Sequence, residues 1–282
     1  MTSVVIAAHN EAAVIGRCLD ALLSDRAGSL DVTVVANGCT DDTAHVARAR
    51  PGVRVIELPV ASKAAALNVG DAAANGWPRV YLDADIVLPA AAVHRLTAAV
   101  AAGPALAAVP RRRLALDGCP LPVRAYYAVH TRLPAFRTAL FGRGAIALSA
   151  TARGRFDRFP DVIADDLFLD SQFTPDEKCE VADVAAWVAA PRRTRDLIRR
   201  LSRVRAGNTQ LRQHDATRAG GTGGPRTRTA SRLSWLRDVV LPCPWLAPAA
   251  VCYVLLTLAA SVRARRHSSG WGRDDSSRVV TR

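Results

Sequence analysis

Short apolar runs alternate with stretches of helical periodicity through residues 1–110, and few folds accommodate that rhythm. The runs predict strands at 3–8, 32–36, 53–57, 79–83 and 105–109, with helices near 11–24, 41–49, 63–75 and 89–102. Strands so spaced, each followed by one helix, join through right-handed crossovers into an α/β fold with a mostly parallel sheet flanked by helices. Such sheets bind ligands outside the carboxyl ends of their strands. The site is therefore expected at 8–11, 36–43, 58–63 and 83–86.

The rest of the chain has a different texture. Pro120, Pro122, Pro134, Pro160 and Pro175 interrupt residues 111–190, leaving a strand at 144–149 and a short helix from about 165. An Arg-rich helix is expected at 192–212, and Gly220 to Pro225 read as a flexible linker. Four regions follow: an α/β ligand-binding half at 1–110, a second half at 111–215, a basic linker at 216–237, and a hydrophobic helix with a basic tail at 238–282.

Composition narrows the function. Half of the 282 residues are apolar, enough for a substantial core. The six cysteines have no CxxC spacing, which disfavours a zinc site or disulfide framework and suits a reducing compartment. No basic leader or cleavage site precedes the first strand, so no signal peptide is expected. The net charge of +13 is lopsided: residues 1–110 hold 8 Lys/Arg against 10 Asp/Glu, and residues 111–282 hold 30 against 15. Lysine occurs only at Lys63 and Lys178, which makes Lys63 conspicuous in the ligand-facing half.

The four post-strand segments carry the chemistry. Ala8-His9-Asn10-Glu11 lacks the GxGxxG of a dinucleotide-binding turn, and no GxxxxGK(S/T) is present, so dehydrogenases and P-loop nucleotidases drop out. Asn37-Gly38 reads as a turn, with Thr40 or Asp41 capping the next helix. Lys63, at a helix N-terminus beside the crevice, is placed to meet a phosphate. The strand Val80-Tyr81-Leu82 ends in Asp83-Ala84-Asp85, whose carboxylates would share a face of an extended backbone and so reach one cation. Mg²⁺ or Mn²⁺ suits such a site, because both prefer carboxylate oxygens and bridge to phosphates.

These segments together resemble family 2 glycosyltransferases of the GT-A fold. The resemblance rests on Ala7 to Glu11 as the (A/P)xxNE-like turn, 37–43 as the DxGSTDxT-like element, Ser62 to Gly70 as the GKxxALNxG-like element, and Asp83-Ala84-Asp85. It extends more weakly through Gly142-Arg143-Gly144 and Asp165-Asp166 to about residue 210. It implies an inverting transfer from a nucleotide-sugar donor to an acceptor hydroxyl. Ala8, His9, Glu11, Asn37, Lys63 and Asp83 would line the nucleotide, and Asp83 and Asp85 the metal. Gly142, Arg143 and Gly144 would face the acceptor. Asp166, with Asp165 beside it, matches the catalytic base; Asp157, Asp161 and Asp170 are its rivals. The family's usual acids after the second strand are replaced by Ala36 and Asn37, which leaves the choice of base open while an Asn amide can still bond a base edge.

The C-terminal third points toward a membrane. Residues 192–237 carry 13 Arg and 2 Asp, and 239–262 carry no charge. Prolines 242, 244 and 248 confine a clean helix to about 249–264, read as interfacial or re-entrant, as a single span, or as a core helix. The expected acceptor is lipid-linked or a growing cell-envelope polysaccharide, handled at the cytoplasmic face of the membrane. Nucleic acid is not an expected partner, since Trp235 is the sole aromatic of 192–237 and no binding motif is present. A catalytically silent nucleotide-binding relative and an Arg-rich membrane or nucleic-acid adaptor are the competing readings.

Overall fold

The computed structural model describes residues 1–24, 30–218 and 233–266. Its first half runs β1 (Thr2–Ala8), α1 (Ala12–Leu22), β2 (Leu30–Asn37), α2 (Thr43–Arg48), β3 (Val53–Leu58), α3 (Lys63–Ala73), β4 (Arg79–Asp83) and α4 (Ala90–Ala102). There follow β5 (Ala107–Ala115), α5 (Leu121–His130), β6 (Ala145–Leu148), α6 (Ala150–Arg153) and α7 (Asp165–Ser171). The chain continues through β7 (Lys178–Ala189), α8 (Thr194–Arg218) and α9 (Ala247–Arg266). The Gly-rich run 220–225 and most of the basic linker lie outside the described residues.

Seven strands form one sheet in the order β3-β2-β1-β4-β6-β5-β7. β1 pairs in parallel with β2 and β4, and β2 in parallel with β3. β6 alone among these pairings runs antiparallel, to β4 and to β5. The expected mostly parallel α/β sheet with flanking helices is therefore present. β1 lies inside the sheet and is covered on both faces, which is why Val4, Val5, Ile6 and Ala8 are apolar without alternation. One face packs on α1 and α4 through Ile15, Leu19, Val93 and Leu96. On the other, α3 comes close at Gly70, where a Cβ would stand 2.5 Å from Val5 Cγ1.

That second face contains a buried ionic knot. The Asp71 carboxylate on α3 pairs with Arg79 at the start of β4, accepts the Tyr81 hydroxyl at 2.5 Å, and meets Arg153 Nη2 of α6 at 2.8 Å. Burial, then the Asp71 charge, pushes the Tyr81 phenol above its usual range and keeps it a donor. One carboxylate thus fastens a helix, a strand and a second helix.

The described chain divides into two compact units. The first comprises Met1–Arg113, Leu140–Asp161 and Gln172–Val188; the second comprises Leu114–Ala139, Val162–Ser171 and the chain from Ala189. In the second, Val123, Tyr126 and Tyr127 of α5 meet Leu197 of α8 and Leu256 of α9. Val129, Leu133, Val240, Leu246 and Ala250 form a neighbouring cluster. α9 begins at Ala247, two residues before the predicted start, because Pro248 falls in the first turn, where no backbone N–H is required.

The sequence reading missed β7, α5 and α6, and placed β5 too early. The apolar alternation in β7 changes phase between Cys179-Val181 and Val184-Ala186-Val188, which hides a strand from a period-two search.

Replacing Asp71 by Ala would leave Arg79 and Arg153 buried with their charge partner gone. Breaking one side of such a pair costs about 3–5 kcal/mol. The expected outcome is a large fall in thermal midpoint measured by circular dichroism; a midpoint within a degree or two of wild type would contradict the knot.

Candidate functional site

The strand order reverses at β1, with β2 and β3 on one side and β4 on the other, and this is the switch point at which parallel sheets accept ligands. The register sets Ala7 opposite Asp83, so the loop after β1 and the acidic turn after β4 are neighbours. All four predicted segments meet here.

Their hydrogen bonds explain the local sequence. Asn10 adopts a left-handed backbone, φ 54°, a conformation that Asn tolerates better than most residues. Its Oδ1 accepts the Thr40 N–H at 2.7 Å. Asp41 accepts the Thr43 N–H at 3.0 Å at the start of α2 and the Ala12 N–H at 3.2 Å at the start of α1. It therefore takes up the first N–H of two helices from outside their N-cap positions, Glu11 and Asp42. Gly38 sits at φ 55°, and a Cβ there would lie 2.5 Å from Ala61 N, so this turn admits no side chain. Ser62 caps α3 by accepting the Ala65 N–H at 3.2 Å.

Asn37 is held from two sides. It is 1 % exposed; its Nδ2 donates to Ala8 O at 2.8 Å and its Oδ1 accepts the Ser62 N–H at 3.1 Å. The amide is a rivet between β1 and the loop entering α3. Ala8 is fully buried, with its carbonyl bonded to Asn37. His9 Nδ1 donates to Asn37 O at 2.6 Å, and the Glu11 N–H donates to Thr43 Oγ1 at 2.7 Å. Both residues lie at the rim of the crevice, partly exposed.

The acidic turn differs in detail from expectation. β4 stops at Asp83, and Ala84-Asp85 form a turn in which the Ile86 N–H donates to Asp83 O at 3.1 Å. Asp83 and Asp85 are thus displayed by a turn, not by a continuous extended strand. Asp83 is partly exposed and Asp85 exposed. Beneath them on α1, burial, then Asp85, then Asp83, pushes the Cys18 thiol up to about 12, so it stays protonated. Lys63 Nζ donates to Asp83 Oδ1 at 3.0 Å, which joins the cationic and anionic parts of the site.

Gly142-Arg143-Gly144 supports this turn from behind. Gly144 O accepts the Asp83 N–H at 2.8 Å, and a Cβ at Gly144, whose φ is 73°, would overlap Ile86. Arg143 is buried, pairing with Glu180 and donating to Pro110 O at 3.2 Å. Its guanidinium is thus engaged inside the first unit. Asn68, from the GKxxALNxG-like element, clamps a loop by bonding both the N–H and the carbonyl of Phe159, at 2.8 and 3.0 Å. The sequence reading missed this task, since nothing local links residues 91 apart.

In the second unit Asp165 and Asp166 form the first turn of α7. Asp166 Oδ1 accepts the Leu167 N–H at 2.8 Å, and its side chain is partly exposed. The preceding residues lean on α8: Gln210 Oε1 accepts the Ile163 N–H at 3.2 Å, and a Cβ on Gly207 would stand 3.3 Å from Ala164. Asp170 is buried.

Among the described residues no group of three or more His, Cys, Asp or Glu side chains gathers to hold a metal. Asp83 and Asp85 offer two hard oxygen donors on a partly exposed turn. That set fits Mg²⁺ or Mn²⁺, which leave positions for water and substrate phosphate.

The comparisons with known proteins agree with this architecture. The family model described as glycosyl transferase family 2 matches residues 3–147. The mannosyltransferase PcManGT from Pyrobaculum calidifontis, solved with GDP-Man and Mn²⁺, is 23% identical with a TM-score of 0.59, covering 94% of this chain and 79% of that one. Residues 1–349 of TarS from S. aureus, solved with UDP, are 14% identical with a TM-score of 0.52, covering 98% and 94%. At these identities the likeness is one of fold. No curated protein matches the sequence.

Asn37→Leu separates the rivet from a base contact. Orphaning the Ala8 carbonyl and the Ser62 N–H should cost about 1–3 kcal/mol for each buried group. Chemical denaturation should therefore show a clear loss of stability. Wild-type stability with weakened nucleotide binding alone would mark Asn37 as a base reader.

Proposed function

Because the chain belongs to glycosyl transferase family 2 and is a glycosyltransferase, we propose that it moves a sugar from a nucleotide-sugar donor to an acceptor hydroxyl with inversion at the anomeric carbon. The observation that carries this reading is the gathering of four post-strand segments at the β1/β4 switch point, with Lys63 and Asp83 paired at its centre. The two fold relatives hold GDP-Man with Mn²⁺ and UDP, so a nucleoside-diphosphate sugar and a divalent cation are proposed here as well.

Each residue then has a physical task. His9 and Glu11 border the nucleotide at the end of β1. Lys63, at the N-terminus of α3, offers its ammonium and the helix dipole to the diphosphate. Asp83 and Asp85 would hold Mg²⁺ or Mn²⁺, which when bound neutralises charge on the departing diphosphate. Asp166 takes the proton from the acceptor hydroxyl as its oxygen attacks the anomeric carbon and the bond to the diphosphate breaks. Asp165 is the first substitute for that role. The carbonyl of Gly144 holds the turn that displays Asp83, with Gly142 and Arg143 preceding it toward the proposed acceptor side.

The acceptor is proposed to be lipid-linked or a growing envelope polysaccharide, met at the cytoplasmic membrane face, on the strength of the apolar C-terminal helix. A screen against UDP-, GDP- and dTDP-sugars, with and without Mn²⁺, reads donor, metal and activity together. Nucleotide binding without release would instead favour the silent relative that Ala36 and Asn37 bring to mind.

Two substitutions test the assignments. Asp83→Ala or Asp85→Ala should abolish nearly all turnover and weaken Mn²⁺-dependent nucleotide binding in a calorimeter, with the thermal midpoint preserved; full activity in excess chelator would sink the metal role. Asp166→Asn should lower kcat by at least ~10²-fold while leaving donor affinity nearly unchanged. A near-wild-type rate would move the base elsewhere.

A further inference from the structure

The segment from Leu241 to Arg265 exposes apolar surface that the fold does not use. Along α9, Val251, Leu255, Leu258 and Val262 are each at least half exposed. Their spacing of four, three and four residues lines them along one side of the helix. Leu241 and Trp245 extend the exposed apolar surface at its N-terminal end, Trp245 being 73% exposed. The opposite side is different: Ala250, Leu256 and Ala260 are buried, and α9 packs on α5 and α8. Within Pro244–Arg265 an 18-residue window has a mean hydropathy of 1.9, yet only 22% of that window is buried.

Charge frames this stripe. No Asp, Glu, Lys or Arg occurs from 239 to 262. Helical spacing then sets Arg263 and Arg265 to either side of the stripe at its C-terminal end. Arg237 lies exposed before its N-terminal end, beside Asp238. An aliphatic strip, an aromatic at one end and arginines at its margins complement the layers of an anionic leaflet: acyl chains, interface and phosphates.

We infer that the outward face of α9 is a membrane-docking surface that lies in the plane of an anionic leaflet, with its inward face remaining packed on α5 and α8. The packing argues against a span. α8 carries seven Arg, and Arg205 stands close enough to Tyr253, midway along α9, for its charge to act on the phenol. Taking α9 across the hydrocarbon would carry those charges with it. A core helix is excluded by the exposed leucines and valines. Depth of insertion is then set by one face of one helix, about the thickness of a side chain. This deepens the proposal of a membrane-bound acceptor and names the surface that would meet it.

The test is flotation of the full chain with vesicles of phosphatidylcholine alone and of phosphatidylcholine with phosphatidylglycerol. The protein should float with the anionic vesicles and be released by high salt or alkaline wash. Leu255→Glu combined with Leu258→Glu should weaken binding by about tenfold or more, since two exposed aliphatic groups are lost to the bilayer. Arg263→Gln with Arg265→Gln should weaken anionic binding and leave the phosphatidylcholine result unchanged. The thermal midpoint, measured on every variant, shows that the fold is kept. Binding to neither vesicle, or equal binding by the glutamate variant, overturns the inference. Resistance to alkaline wash overturns the in-plane geometry in favour of a span. A dimer seen by light scattering, dissolved by the glutamate pair and without flotation, gives the face to a second copy of the chain. Absence of sugar transfer with flotation intact sinks only the transfer reading, so the two failures are distinguishable.

Discussion

β1 is hydrogen-bonded in parallel on both sides, to β2 and to β4, and the site depends on that pairing. Parallel strands deliver their carboxyl ends to one edge, so the loop after each strand arrives beside the others without any further instruction. The cost is that β1 must be buried on both faces, which its run of Val4, Val5 and Ile6 satisfies. It also leaves a ragged edge of loop backbone whose N–H and C=O groups need partners. Asn10, Asn37, Asp41 and Ser62 supply them. These polar side chains are spent on closing the edge, while Lys63, Asp83 and Asp85 stay partly or fully exposed beside it.

What was legible in the sequence follows from range. Strands β1 to β4 and helices α1 to α4 announce themselves because each element buries a continuous or periodic apolar set within a few residues. The acidic turn is legible because it directly follows such a strand. Asn37 is a different case. It closes β2, one residue beyond the predicted strand, and its amide meets Ala8 and Ser62, which are distant in sequence and adjacent only after folding. Arg143 likewise finds a remote partner in Glu180. The Asn68 clamp on Phe159 has no local signature at all. Contacts of long sequence separation are invisible to periodicity, and here they decide which polar side chains are scaffold.

The second unit shows the reverse imbalance. Its helices were foreseen in α8 and α9, yet the irregular stretch around Pro120 and Pro122 concealed α5, the helix on which α9 rests. Pro122 lies in the first turn of α5, where its missing N–H costs nothing, so it begins the helix that a simple breaker rule would forbid. Knowing α5 changes the meaning of the apolar C-terminal segment. One side of that segment is packed on α5 and α8 and the other is bare and apolar.

The two cations are used for different physical work. Arginine forks fasten fixed partners: Arg50 grips both oxygens of Asp20, Arg155 grips Glu177, and Arg79 joins Asp71 while donating to Ala74 O. A planar fork loses little freedom when it makes several bonds in one geometry, and it is correspondingly poor at changing partners. Lys63 presents a compact charge on a flexible stem and donates to Asp83 at 3.0 Å. Under the proposed diphosphate role, a cation whose contacts exchange readily is the better fit, and in a chain whose basic residues are almost all Arg the Lys at the N-terminus of α3 would meet it.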